Sequence, residues 1–355
     1  MLNLFSTFVA LCALTTIQTT NAGLVKKAPI QPIMGGANFP DPAVIKTADG
    51  WHLFSTNAVV DGKWVHVQRA FTRDFKNFEL RKGVDALPVL PKWADPLPRV
   101  WAPDVVRLDD GSFVMYYTVA YRARPNLHCL SYATAKNIND PFVDNSEKPW
   151  ICPLEAGGAI DIAGFTDEKN GHKRWIVYKI DGNAIGHGGA CGNTVAPIVP
   201  TPILLQQVAQ DGHTLIGKPV EILTNIASDG PYVEAPALTY MGGKYVLFFS
   251  SQCYMGPKYD VQYAVADKIT GPYKRSGRIL GTGDLGLNGP GGLDVAINGN
   301  RAVFHAYVVQ TPGKLEHCKN FERKSDCRYR HSKKVRPSYA VTLSMNNGVI
   351  RVAAA

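Results

Sequence analysis

The chain has 355 residues, of which 45% are apolar and 19% charged, with 33 glycines and 24 prolines. This composition excludes a disordered chain or a coiled coil, and its turn-forming residues favour a β-rich fold over a helical bundle. Thirty-eight basic residues against 29 acidic ones leave a formal charge of +9, which alone would suit a nucleic-acid partner.

The N-terminal segment argues against that partner. Leu4 to Leu14 is a short apolar stretch, followed by polar residues and the small-residue site Thr20-Asn21-Ala22. Residues 1–22 are therefore read as a secretory leader, although no Lys or Arg precedes the apolar stretch. That stretch is too short for a membrane span of about 20 residues, and no later segment is apolar enough to span. Of seven cysteines, Cys12 leaves with the leader. Six remain, an even number suited to an oxidising compartment, and the short spacing of Cys318 and Cys327 predicts a local disulfide. No cysteine or histidine spacing suggests zinc, and no Asn-x-Ser/Thr sequon is present.

A repeat organises the remainder, residues 23–355. Phe39-Pro40-Asp41-Pro42-Ala43-Val44-Ile45 leads through Asp49-Gly50 into Trp51-His52-Leu53-Phe54, a predicted β-hairpin. Similar hairpins start at Trp101-Ala102-Pro103-Asp104, Ala159-Ile160-Asp161, Val233-Glu234-Ala235-Pro236 and Leu293-Asp294. Each copy begins with a carboxylate, and the copies stand about sixty residues apart, the length of one propeller blade. The predicted fold is all-β, a single five-bladed β-propeller. Its innermost strands would bring Asp41, Asp104, Asp161, Glu234 and Asp294 to one end of a central channel. Like charges gathered in that way raise one another's pKa, a cost associated with catalysis or a bound cation.

Glycosidic hydrolysis needs one protonated and one ionised carboxyl group. Glu234 lies in an apolar run and Asp41 between two prolines. At these residues the sequence resembles glycoside hydrolase family 43: Phe39-Pro40-Asp41-Pro42 is similar to the family's base motif, Ala159-Ile160-Asp161 to its pKa-tuning motif and Val233-Glu234-Ala235-Pro236 to its acid motif. Trp101-Ala102-Pro103-Asp104 is similar to a further recurrent segment. The resemblance implies that Asp41 is the general base, Glu234 the general acid, and Asp161 the group that tunes Glu234, with inversion at the anomeric carbon. It also implies that Arg336 closes the site from the last blade. The implied substrates are α-L-arabinofuranosyl or β-xylosyl links of plant cell-wall polysaccharide, cleaved by a monomer with no nucleic-acid or membrane partner. A retaining fructan-type hydrolase and a non-catalytic glycan-binding propeller are the alternatives.

Trp101 is the expected sugar-stacking residue, with Phe39 and Tyr232 on subsite walls and Asp104, Asp294 and His305 as further substrate contacts. Trp51 and Trp175 are read as packing residues. Many family members carry Gly-Pro-Gly-His where this chain has Gly289-Pro290-Gly291-Gly292, so no metal is expected, a channel calcium included. The basic segment 314–336 is read as a solvated insertion.

Overall fold

The computed structural model describes residues 28–308, apart from 98 and 298, and residues 335–355. The expected leader, the Cys318–Cys327 pair and most of the basic segment lie outside these residues. Among the described residues all regular structure is β-strand, apart from short 3-10 turns.

Five antiparallel sheets form the five blades. Blade one holds Ala43–Lys46, Trp51–Ser55, Gln68–Thr72 and Glu79–Leu80, and blade two holds Val100–Arg107, Phe113–Tyr121 and Arg124–Ala135. Blade three holds Ala159–Asp167, Lys173–Ile180, Ile203–Val208 and Leu215–Leu223. Blade four runs from Val233–Met241 through Lys244–Ser251 and Asp260–Ala266 to Lys274–Leu280. Blade five pairs Gly291–Val295 and Arg301–His305 with the C-terminal strands Ser338–Asn346 and Val349–Ala354. The apolar side chains of adjacent blades interleave between the sheets; Phe248, Leu293, Phe304 and Val341, for instance, share one buried cluster across blades four and five. Trp51 packs edge-on against Phe75 at 5.4 Å, and Trp175 packs against the cluster between blades three and four.

The ring closes where the chain leading into blade one meets blade five. Phe39 donates its amide to the Arg336 carbonyl at 3.1 Å, Ser338 donates its hydroxyl to the Phe39 carbonyl at 2.5 Å, and Ile33 donates its amide to the Ser338 carbonyl at 2.9 Å.

The innermost strands share one irregularity. Each carries a left-handed residue, at Asp41, Ala102, Asp161, Ala235 and Gly292, with φ of 51°, 41°, 56°, 49° and 58°. In blades two to five the pairing register shifts across this point, the signature of a β-bulge that re-aims side chains. Glycine and aspartate tolerate the left-handed region, whereas alanine does so only under strain.

A side chain of the preceding blade receives each bulge amide. Ala102 donates to Thr56 Oγ1 at 2.9 Å, Asp161 to Thr118 Oγ1 at 3.0 Å, and Gly292 to Ser250 Oγ at 2.9 Å. Asp41 donates to His305 Nδ1 at 3.1 Å, which links blade five to blade one. In blade three the equivalent side chain is Lys179, which faces Ile160 across the sheet and has no acceptor to offer. The Ala235 amide therefore turns to the Asp161 carboxylate, at 3.0 Å.

Two disulfides join described cysteines, Cys129–Cys152 and Cys191–Cys253. The second ties the loop after blade three's second strand to the loop inside blade four.

Candidate active site

The channel has three parts. At one mouth a cavity of about 440 Å³ is lined by Asp41, Asp161, Glu234, Trp101, Tyr232 and Arg336, among others. Below it the bulges of all five blades constrict the channel to about 40 Å³. A second cavity of about 430 Å³ opens beyond, with Asp104 and Asp294 in its wall.

The expected convergence of five carboxylates on one mouth thus holds for three. Asp104 and Asp294 stand two residues past the left-handed position, so they point down the channel and accept the backbone amides of Gly164 at 2.7 Å and Val44 at 2.6 Å. Phe39 also leaves the site: it is wholly buried among Val44, Leu53 and Val303. His305 is equally buried and makes none of the mouth's wall; its ring sits behind Asp41 instead. Trp101 and Tyr232 do line the cavity.

Asp41 is surrounded by three groups. Arg336 spans both carboxylate oxygens, Nη1 to Oδ1 at 3.0 Å and Nη2 to Oδ2 at 3.3 Å. Thr56 donates its hydroxyl to Oδ2 at 2.7 Å while accepting the Ala102 amide. His305 Nδ1 lies 3.3 Å from Oδ1. Burial alone would raise the Asp41 pKa, but the Arg336 charge and the hydrogen bonds from Thr56 and Arg336 outweigh it and hold the carboxylate below its ordinary value. His305 is driven down to about 3 by burial and by Arg336, and is therefore neutral.

Glu234 belongs to a different electrostatic environment. Tyr259 donates its hydroxyl to Oε1 at 2.8 Å, and Lys179 donates its ammonium to Oε2 at 3.1 Å. Lys179 is wholly buried, pairs also with Asp181 at 3.1 Å, and lies 4.2 Å from the Tyr232 ring centroid. Burial opposes its charge, but Asp181 and Glu234 more than restore it, so the ammonium persists. Burial raises the Glu234 pKa, only partly offset by Lys179 and Tyr259. Asp161 is pushed up to about 8 by burial and then by the Glu234 charge, which weighs on it more than Asp41 does. Asp161 and Glu234 therefore titrate as a pair that keeps a proton through neutral pH.

Where the resembling family carries a histidine, this chain has Gly292. A Cβ at Gly292 would stand 3.0 Å from the His305 ring and 3.6 Å from Asp41 Oδ1, so His305 fills the space beside that position. His305 Nδ1 accepts the Asp41 amide, and Nε2 lies 3.2 Å from Arg336 Nη1. Among the described residues no group of three or more His, Cys, Asp or Glu could hold a metal ion.

Sequence reasoning missed Thr56, Lys179 and Tyr259. Lys179 had a signal: it interrupts the apolar strand Trp175-Ile176-Val177-Tyr178 with a charge that a buried position tolerates only when paired.

The model for glycosyl hydrolases family 43 matches residues 30–324. An extracellular endo-α-(1→5)-L-arabinanase of Bacillus subtilis (strain 168) is 28% identical over 316 residues, 82% of this chain and 88% of that protein. A second extracellular endo-α-(1→5)-L-arabinanase, from Thermotoga petrophila, is 23% identical over 269 residues, 68% of this chain and 52% of the relative. Among solved structures, a thermostable family-43 glycoside hydrolase superposes with a TM-score of 0.70 at 20% identity, covering 92% of this chain and 96% of its own. The family match runs across the segments that carry Asp41, Asp161 and Glu234, and the chain accordingly belongs to glycosyl hydrolase family 43 and is a glycosidase.

Proposed function

We propose that the protein is a secreted, monomeric, inverting hydrolase of α-1,5-linked L-arabinofuranosyl bonds inside arabinan. The observation that carries the reaction type is the opposed setting of two carboxyl groups in one cavity: Asp41 is held below its ordinary pKa by Arg336 and Thr56, while burial raises Glu234 above its own. Arabinan is favoured because both named relatives are endo-arabinanases, and secretion because they are extracellular and the chain forms disulfides.

In this reading Asp41 takes a proton from water as the water attacks the anomeric carbon. A carboxylate of low basicity suffices, because that water loses its proton only as it bonds to an oxocarbenium-like centre. Glu234 simultaneously protonates the departing glycosidic oxygen. Asp161 is coupled to Glu234 by like-charge repulsion, so the two carboxyls are not both ionised at neutral pH. Inversion requires room for water, so the Asp41 and Glu234 carboxyl groups are expected about 6.5–9.5 Å apart.

Product analysis on linear arabinan, arabinoxylan and aryl glycosides tests the substrate: a ladder of arabino-oligosaccharides supports internal cleavage, and monomer alone refutes it. Proton NMR of the first-formed anomer tests stereochemistry. Retention would point to the fructan-hydrolase alternative, and binding without turnover to a glycan-binding propeller.

A further inference from the structure

His128 and Asn183 both line the mouth cavity, and each carries a buried polar atom, Nε2 and Oδ1, that forms no hydrogen bond. An unpaired buried polar atom costs roughly 1–3 kcal/mol, so both call for an occupant. His128 is only 4% exposed and its ring stacks on Trp101 with centroids 3.7 Å apart and planes 26° apart. Burial lowers its pKa to about 4, which leaves a neutral imidazole for a neutral ligand.

The two residues come from different blades, and the backbone locks them together. Gly158 lies against the His128 strand so closely that a Cβ there would stand 2.2 Å from the His128 carbonyl oxygen. The Gly158 carbonyl accepts the Asp181 amide at 2.9 Å, which anchors the turn Gly182–Ile185 that carries Asn183. Cys129, next to His128, is tied by its disulfide to Cys152. Rigid support of this kind suits groups that must meet a ligand in fixed geometry.

We propose that the His128 ring nitrogens and the Asn183 side-chain amide read hydroxyl groups of a sugar unit lying beside Trp101, and so form a specificity-determining subsite. The proposal rests on the glycosidase reading of the cavity. Sugar hydroxyls both donate and accept, matching an amide oxygen and an imidazole nitrogen. A site built to bond a hydroxyl also rejects analogues that lack it.

The test uses the full secreted protein. His128→Phe keeps a stacking ring and removes the nitrogen, and Asn183→Ala removes the amide. Each is expected to lower kcat/KM on arabinotetraose roughly tenfold or more, with Tm unchanged or raised. His128→Gln, which restores a polar atom, should recover part of the loss. Values of kcat/KM within twofold of wild type in both variants overturn the proposal, as does a loss that tracks Tm and is not recovered by Gln. Should His128→Phe fail to fold, Asn183→Ala carries the decision. A wild-type protein inert on every pentosan refutes the functional reading, whereas an active wild type with unimpaired variants refutes only the subsite.

Discussion

Three carboxyl groups share the mouth of the channel, and their neighbours divide the labour. Arg336, Thr56 and His305 surround Asp41, whereas Tyr259 and Lys179 engage Glu234. Glu234→Ala should therefore be selective: turnover of natural linkages should fall by roughly 10²–10⁴, while activated aryl glycosides, which need no protonation, keep most of their bond-breaking rate. Asp41→Ala should impair both substrates. Steady-state kinetics on the two substrate types checks this, and near-normal turnover by Asp41→Ala would remove it from the role of base. The pH profile adds a test with opposite signs. In the proposed mechanism Asp41 is ionised and Glu234 protonated, so the acid limb should lie below the ordinary carboxylate range and the alkaline limb, set by Glu234, above it. Asp161→Asn removes the like charge, lets Glu234 ionise earlier and should move the alkaline limb to lower pH. Lys179→Met removes the opposite charge and should move it to higher pH. Limbs that shift in the same direction would show that the electrostatic assignment is wrong.

At the scale of the element, the site is made by one left-handed residue repeated in all five blades, with a bulge in four of them. Gly291, which opens blade five's inner strand, illustrates how tightly neighbouring blades share it: a Cβ there would lie 1.9 Å from the Tyr259 ring. Gly291→Ala should push Tyr259 off Glu234, at an overpacking cost of about 1–3 kcal/mol. It should lower kcat on unactivated substrates together with Tm, whereas Tyr259→Phe should lower kcat with a much smaller Tm change. A Gly291→Ala protein with wild-type kcat would deny the contact its role. The same bulge explains what was legible in the sequence. Carboxylates near each strand start revealed the repeat, the blade number and the trio. They also suggested a common frame that the backbone does not follow, because Asp104 and Asp294 lie past the left-handed residue. A better marker was present, since proline follows that residue at Asp41-Pro42, Ala102-Pro103 and Ala235-Pro236. Thr56, Tyr259 and His128 could not be read, because each acts across a blade boundary that sequence spacing does not encode.

At the scale of the whole molecule, the carboxylates that left the active site have a different consequence. Asp104 is raised to about 6 by burial, and Asp294 is raised further by burial and by Asp104. Each serves the ring by accepting a backbone amide of the next blade, Gly164 or Val44. An amide oxygen would accept those bonds equally well. A carboxyl group whose folded pKa exceeds its unfolded value binds its proton more tightly when folded, so its contribution is favourable at low pH. That contribution is lost as pH rises from the unfolded value of about 4 through the folded one. Stability of the ring should therefore decline over this interval, and at pH 8 like charge in the channel opposes closure. Asp294→Asn keeps an acceptor for Val44 and removes the repulsion on Asp104. It should raise Tm at pH 8 by about 2–4 °C, the shift that roughly 1 kcal/mol produces in large domains, and the gain should vanish at pH 4, where both carboxyls are protonated. Calorimetry at the two pH values decides it. A variant less stable than wild type at pH 8 would mean that the charge itself, and not the hydrogen bond, helps to close the ring.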